Sequence, residues 1–269
     1  MSKAQQFEIE GSFLKNLGRH VTMTEKVITW LAGQQWMDSL TRMLMGPYVT
    51  IFMLHRTQPA EQHFHGCDPV VLENCLRYAV RQGYQFASLD ELVTMAAQGV
   101  TPSAPLLCFT IDDGFRDQVS TLAPVLLRYQ AKPTLFVLTD FVDGKDWPWD
   151  AKLMYMTQHS PLASAEFAFA GQQFSLNLSN AAGRIAARRQ LVNFTKYLPG
   201  DQIDEFLQLV SARLDIALTT QAQPGYEAAT WDELRAAQAQ GLIVAAHGCN
   251  HKVFSGLSPA QVSQQLANS

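Results

Sequence analysis

The sequence has little of what marks exported, membrane-spanning or disulfide-rich proteins. Its 269 residues include only four cysteines, and none of them forms a C-x-x-C pair. This scarcity excludes a disulfide scaffold and a structural zinc knuckle, and it favours reduced thiols. No run of about 18 apolar residues predicts a membrane span, and the first thirty residues lack the apolar core of a secretory signal. We therefore expect a cytoplasmic location.

An excess of positive charge is also missing. The chain has 20 lysine and arginine residues against 24 aspartate and glutamate residues, which gives a net charge of −4 and a pI near 6.0. No basic patch therefore predicts binding to nucleic acid or to an anionic membrane surface. With 47% hydrophobic residues, the chain is long enough and apolar enough for one or two domains with a substantial core.

Short apolar runs alternate with helical segments from about residue 48 onwards. Runs that predict buried strands lie at 48–55, 105–112, 133–138 and 242–246. Capping boxes at 88–91 (SLDE) and 230–233 (TWDE) predict where two of the intervening helices begin. Strands that alternate with helices predict an α/β fold with a largely parallel sheet, either open or closed into a barrel.

The alternation has one long interruption. Residues 143–225 contain a tryptophan-rich turn, a predicted β-hairpin and two predicted helices at about 180–198 and 201–215. Because strands of the same alternation flank this segment, we interpret it as an inserted α+β subdomain in a main domain spanning 45–269. Residues 1–44 are predicted to form a helical extension.

Two short motifs carry the strongest chemical signal. TIDDG at 110–114 ends a predicted strand, and HGCNH at 247–251 follows another. In parallel α/β folds, side chains at the carboxyl ends of strands gather at one edge. Two imidazoles four positions apart, with one of the two adjacent carboxylates, could bind a divalent metal, and the other carboxylate could accept a proton from metal-bound water.

Each motif alone also has an ordinary interpretation. Asp-Asp-Gly is common in turns for local backbone reasons, and H-x-x-x-H can be two solvated surface histidines. The combination of both motifs, each at the end of a predicted strand, is much more specific than either one. We therefore predict a hydrolytic metal site.

With these motifs in place, the chain resembles the polysaccharide deacetylase family, the metal-dependent carbohydrate esterases of the chitin and chitooligosaccharide deacetylase type. The similar segments occur in the same order along the chain as in the family. They are VTIFMLHR at 49–56, GYQFASLDELV at 83–93, LLCFTIDDGFRD at 106–117, AKPTLFVLTDFV at 131–142 and TWDELRAAQAQGLIVAAHGCNHKVFSGLS at 230–258.

The resemblance implies a fold, a reaction and a set of site residues. The family fold is a distorted, seven-stranded (β/α) barrel, and the reaction removes N-acetyl groups from N-acetylhexosamine units of a glycan. By resemblance, Asp112 is the catalytic base, and Asp113, His247 and His251 bind a divalent metal. Zinc is the leading expectation, with cobalt, nickel or manganese as alternatives.

Four further residues are candidates for substrate contact. His55 and Arg56 lie at the end of the first predicted strand and would line the pocket, unless His55 is a histidine at the edge of the core. Trp147 and Trp149 would stack on sugar rings, although aromatic residues in an insertion more often cover a small core of their own.

The chain departs from the family pattern in two ways. Gly248 occupies a position where the family usually has serine or threonine, which predicts a looser ligand loop. The later family motifs, Arg-x-Pro-aromatic and Leu-x-His, are not found before Ser269. We therefore expect a C-terminally incomplete barrel with impaired turnover, which could self-associate through its exposed edge. The alternatives are a non-catalytic metal- or glycan-binding remnant, or an amidohydrolase acting on a non-sugar amide.

Overall fold

A computed structural model describes residues 43–44, 46–57 and 66–269. Contacts divide the chain into two units, 1–48 and 49–269. All but the last two residues of the predicted extension at 1–44 lie outside the described residues, so its helical character remains a prediction.

The described part of the chain contains seven strands and nine α-helices. The strands are β1 (Val49–Leu54), β2 (Gln85–Phe86), β3 (Leu106–Asp113), β4 (Thr134–Val137), β5 (Ser164–Phe169), β6 (Gln172–Asn177) and β7 (Ile243–Ala246). The helices are α1 (Pro69–Arg81), α2 (Leu89–Ala97), α3 (Ala123–Arg128), α4 (Thr139–Val142), α5 (Trp149–His159), α6 (Ala181–Thr195), α7 (Ile203–Arg213), α8 (Trp231–Ala239) and α9 (Pro259–Asn268). None of these helices is both long and apolar enough to cross a membrane.

The main sheet is parallel and has the order β1-β3-β4-β7, while β2 pairs with the first two residues of β3. The predicted α/β fold with a largely parallel sheet is therefore confirmed. Closure into a barrel is not shown, because the described strands form an open sheet of five. Asp113 pairs with Val137, which pairs with Ala246, so β3, β4 and β7 end at one edge of the sheet.

Burial and capping explain why these elements form where the sequence predicts. All eight residues of β3 are buried, as expected for a near-continuous apolar run in the middle of a parallel sheet. Asp68 caps α1 by accepting a hydrogen bond from the Val70 amide. The capping boxes that begin α2 and α8 both form.

The segment between β4 and β7 is one long crossover, because these two strands are direct neighbours in the sheet. Within it, the predicted hairpin is the antiparallel pair β5–β6, and the two predicted helices are α6 and α7. Helix α5 was not predicted, since its first residues were interpreted as a turn. These elements pack round a core of their own, whose fully buried members include Leu153, Met156, Leu178, Leu191 and Phe206.

Strand β1 forms an exposed edge, which leads to a prediction about self-association. Among the described strands, β1 pairs only with β3, and Ile51 and Met53 on one face are 52% and 63% exposed. An apolar edge strand is a template for pairing with a second copy. We expect concentration-dependent dimers in size-exclusion chromatography with light scattering.

The double substitution Ile51→Lys with Met53→Lys should remove these dimers, because charged side chains on an edge strand oppose pairing. Val93→Lys, at another exposed apolar position, serves as the control and should leave the dimers unchanged. A wild-type protein that stays monomeric at high micromolar concentration would contradict this prediction.

Candidate metal centre

The two chemical motifs meet at the carboxyl edge of the sheet. Asp112 and Asp113 are the last residues of β3, and His247 directly follows β7. The backbone amide of His247 donates to the carbonyl of Val137 at 2.8 Å, which continues the β4–β7 ladder into the loop at 247–251. Strand pairing therefore fixes the positions of residues that are far apart in the sequence.

Asp113, His247 and His251 form a group with the spacing of a metal site. Asp113 Oδ1 lies 3.7 Å from His247 Nε2 and 3.5 Å from His251 Nε2, and one ligand atom from each residue lies within 4.8 Å of the others. Tetrahedral zinc with bonds of about 2.0–2.1 Å separates its ligand atoms by about 3.3 Å. Asp113 Oδ1 is also buried without a hydrogen bond to any described residue. Both observations fit a divalent cation.

Two residues of this Asp-His-His group have unusual backbone conformations. Asp113 has φ 94° and His251 has φ 60°, which are left-handed values for non-glycine residues. Such conformations cost free energy and persist where the surrounding structure holds them, often at functional sites. Gly114 beside Asp113 also has a positive φ, 93°, and a Cβ there would lie 3.2 Å from the Val137 side chain. This close approach requires glycine in the first motif.

Gln118 holds the end of β3 in place. Its side chain is fully buried, and its Oε1 accepts hydrogen bonds of 2.9 Å from the amides of Gly114 and Phe115. Its Nε2 donates to the carbonyls of His55, at 2.5 Å, and Asp112. One amide group thus satisfies four backbone groups at the ends of β1 and β3. A π-helical turn starts at this residue, as is frequent near functional sites.

Burial changes the proton affinity of Asp113 and His247. Desolvation, with the negative charge of Asp150 added to it, raises the pKa of Asp113 to about 7. Desolvation lowers the pKa of His247 and so favours the neutral imidazole that binds metals. A cation at this position would replace the protons that these groups otherwise bind.

His251 contacts a carboxylate from the insertion. Its Nδ1 lies 2.9 Å from Asp150 Oδ1. Burial opposes the charged imidazolium, but the hydrogen bond to Asp150 and its charge outweigh burial and raise the pKa of His251 to about 9. Burial likewise opposes charge on Asp150, yet the His251 contact leaves the pKa of that carboxyl lowered. Without a cation, the pair is therefore a carboxylate held against an imidazolium.

Asp112, the predicted base, lies beside a second candidate. Asp112 Oδ2 is 4.0 Å from His55 Nε2, and half of the His55 side chain is exposed. The structure thus brings His55 to the edge where Asp112 and the metal group lie, as predicted for a residue that lines the pocket. The assignment of roles to these residues remains a prediction.

Arg56, the other candidate on this strand end, is held within the protein. Its Nε lies 3.0 Å from Asp117 Oδ1, and its Nη2 donates to the carbonyl of Gly225 at 2.6 Å. The guanidinium lies over the Phe115 ring, 4.1 Å from its centroid. These contacts give Arg56 a role in joining β1 to the end of the insertion.

The structure corrects the predicted sugar contacts of Trp147 and Trp149. Both indoles are buried, with 3% and 6% of their surface exposed. Trp147 donates to the carbonyl of Thr219 and Trp149 to the carbonyl of His251, each at 2.8 Å. A sugar ring needs an open aromatic face, and neither indole offers one. The alternative, that the tryptophans cover a local core, describes them better.

Backbone geometry accounts for the glycine in the second motif. Gly248 has φ 81°, a conformation that serine or threonine adopts only with strain. The loop is held by other contacts: the amides of Thr139 and Asp140 donate to the carbonyls of Gly248 and Cys249, and the Cys249 amide donates to Gln265 Oε1 of α9 at 3.1 Å. These hydrogen bonds replace the support expected from a hydroxyl.

Gly248→Ser, which restores the usual family residue, should therefore lower stability by about 1 kcal/mol without improving metal affinity. Chemical denaturation and a metal titration would measure the two effects. Gly256→Ser, at a glycine without a positive φ, is the control and should be close to neutral. A tighter metal site in the Gly248 variant would contradict this account.

Three residues at the site escaped the sequence analysis. Gln118, Asp150 and Gln265 carry no motif of their own. Asp150 belongs to the tryptophan-rich turn, WPWD at 147–150, and a carboxylate at the first turn of a helix is the signal that the sequence offers there. The partner of Gln265, the Cys249 amide, lies 16 positions away in the chain. Gln118 does bond to neighbours in the first motif, but a single glutamine after that motif gives no recognisable signal.

Fold and site together define a parallel α/β protein with an Asp-His-His group and an adjacent carboxylate at the carboxyl edge of its sheet. The chain matches no known protein-family profile. It is 31% identical over 77 residues to "Putative polysaccharide deacetylase YxkH" of Bacillus subtilis (strain 168), a match that spans 29% of this chain and 28% of that protein. The resemblance to polysaccharide deacetylases is thus confirmed for this stretch.

Solved structures of deacetylases are similar only distantly. The Streptococcus pyogenes deacetylase PplD in complex with acetate is 14% identical, with a TM-score of 0.46, over 83% of this chain and 65% of that one. IcaB from Ammonifex degensii is 18% identical, with a TM-score of 0.33, over 82% and 97%. Similarity at this level does not by itself assign a function.

Proposed function

We propose that this protein is a metal-dependent hydrolase that removes N-acetyl groups from N-acetylhexosamine units of a polysaccharide or oligosaccharide. The observation that supports this best is the grouping of Asp113, His247 and His251 beside Asp112. The group leaves a cation with free positions, and the neighbouring carboxylate is in place to move a proton. The printed description of the Bacillus subtilis relative agrees with this reaction class.

The proposed site residues contribute to different steps of the reaction. A divalent ion held by Asp113, His247 and His251 would supply a Lewis acid for the acetamide carbonyl and lower the pKa of a bound water molecule. Asp112 accepts the proton that the attacking water loses as its oxygen bonds to the carbonyl carbon. The carbon–nitrogen bond then breaks, the nitrogen gains a proton, and acetate and a free amine result.

His55 is suited to deliver that last proton. Its Nε2 lies 4.0 Å from Asp112 Oδ2, and its half-exposed imidazole faces the edge at which a substrate would arrive. An amine is a poor leaving group unless it is protonated as it departs. His55 supports the proposal by offering a proton donor at the end of β1, beside Asp112.

His55→Gln should lower the rate of acetate release by about two orders of magnitude or more while metal remains bound, because glutamine keeps the side-chain size but donates no catalytic proton. The metal content, measured on the same preparation, separates loss of the donor from loss of the site. His159→Gln, at an exposed histidine on α5, is the matched control. An unchanged rate in the His55 variant would remove it from the mechanism.

Zinc is the metal that we propose. One carboxylate and two imidazoles are a common donor set for catalytic zinc, although cobalt, nickel and manganese also accept it. Elemental analysis of protein purified without added metal would identify the ion.

The test of the function is acetate release from N-acetylated chitooligosaccharides, measured with zinc added and after treatment with a chelator. We expect slow release that depends on the metal and is restored when zinc is returned. Bound metal without any release would favour the alternative of a metal- or glycan-binding module. Release from small non-sugar acetamides alone would favour an amidohydrolase of the same fold.

A further inference from the structure

The insertion reaches the metal centre through two adjacent residues. Trp149 and Asp150 begin helix α5, and both contact His251. The Trp149 indole donates to the His251 carbonyl at 2.8 Å, and the two rings are nearly parallel, with centroids 6.0 Å apart. Asp150 Oδ1 lies 2.9 Å from His251 Nδ1. The backbone and the ring of one ligand are thus both held by the same helix end.

We propose that Asp150 is a positioning residue that sets the tautomer and orientation of His251, with Trp149 fixing the backbone of that ligand. This inference rests on the proposed metal site and adds a role that its motifs do not contain. A carboxylate that accepts a hydrogen bond from Nδ1–H leaves the lone pair of Nε2 for the cation. His251 Nε2 is the atom that lies 3.5 Å from Asp113 Oδ1.

The location of Asp150 suits this role. It lies in the first turn of α5, where backbone amides favour a negative charge. It approaches His251 from the side opposite the other ligands, since Nδ1 and Nε2 point away from each other across the ring. The carboxylate can therefore orient the imidazole without competing for the metal.

Trp149 restrains the strained backbone of His251. With φ 60°, this residue would relax toward ordinary conformations if nothing held it. The indole hydrogen bond to its carbonyl restrains that relaxation, and the burial of Trp149 makes the restraint rigid. Trp149 thus supports the loop that carries His251.

The test is a zinc competition titration of the full chain against a chelating dye. Asp150→Ala should weaken zinc binding by about 10- to 100-fold, the usual effect of removing such a partner. Asp150→Asn retains an oxygen that can accept from Nδ1–H and should lose less affinity. Asp143→Asn, at a carboxylate that contacts Lys145 and Trp231, is the control and should bind zinc as the wild type does.

Nitrogen-15 NMR of the zinc-loaded proteins provides a second readout. The Nδ1 proton of His251 should be protected in the wild type and in Asp150→Asn, and it should exchange rapidly in Asp150→Ala. A purely structural role for Asp150 would change stability and leave this proton unaffected. If Asp150→Ala does not fold, the partial loss of affinity in Asp150→Asn still tests the proposal.

The possible failures are distinguishable. A wild-type protein that binds no zinc would overturn both the metal site and this inference. If the wild type binds zinc, and the Asp150→Ala and Asp150→Asn variants bind zinc within twofold of the wild-type affinity, the metal site stands and only this inference is overturned.

Discussion

Replacing His247 and His251 together with alanine should abolish stoichiometric binding of a divalent ion. The two imidazoles supply two of the three ligands in the described group, and one remaining carboxylate cannot hold zinc against water at neutral pH. We expect about one equivalent of metal in the wild type and none in the double variant, measured by elemental analysis and titration.

His159→Ala is the matched control for this experiment. His159 lies in α5 and its ring contacts Tyr155, away from the three proposed ligands. Its removal should leave the metal content unchanged, which also excludes binding to exposed imidazoles in general. Metal that persists at one equivalent in the double variant would show that the ion is bound elsewhere.

The adjacent carboxylates should respond differently to the same change. Asp113→Asn removes a charged ligand whose Oδ1 faces both histidines, and we expect most of the metal to be lost. Asp112→Asn removes the proposed base, and we expect metal to remain while acetate release falls by about two to four orders of magnitude. Metal content and rate are measured on the same samples.

The value of this pair lies in its internal control. Both substitutions remove one negative charge from the end of β3, and both preserve the side-chain size. Equal loss of metal in the two variants would mean that Asp112 is also a ligand. An unchanged rate in Asp112→Asn with full metal occupancy would mean that another group takes the proton.

The parts of the fold with strong local signals were predictable. Strands β1, β3, β4 and β7 carry short apolar runs, whereas the two-residue strand β2 does not, and capping residues such as Ser88 and Thr230 mark where helices start. Helix α5 lacked such a signal. It is buried on several sides, so its apolar residues show no helical period, and it begins after a proline without a side-chain cap.

The site was predictable to the extent that its residues belong to motifs. Asp112, Asp113, His247 and His251 follow predicted strands, and parallel pairing brings those strand ends together. Asp150 was not predictable, because it contacts His251 across 101 positions of the chain. A hydrogen bond between segments so far apart leaves no periodicity or spacing in the sequence.

The long crossover between β4 and β7 also has a consequence for how this protein reaches its native state. The first motif and the second are separated by that whole segment, and contacts between distant parts of a chain form slowly because closing a long loop costs entropy. In an unfolded chain, an ion would meet His247 and His251 without Asp113 beside them. A cation that binds only the native state raises the free energy of unfolding by mass action. The increase is about 2.7 kcal/mol when the cation concentration is one hundred times its dissociation constant. Metal supply would then govern how long the folded protein persists, as well as how fast it works.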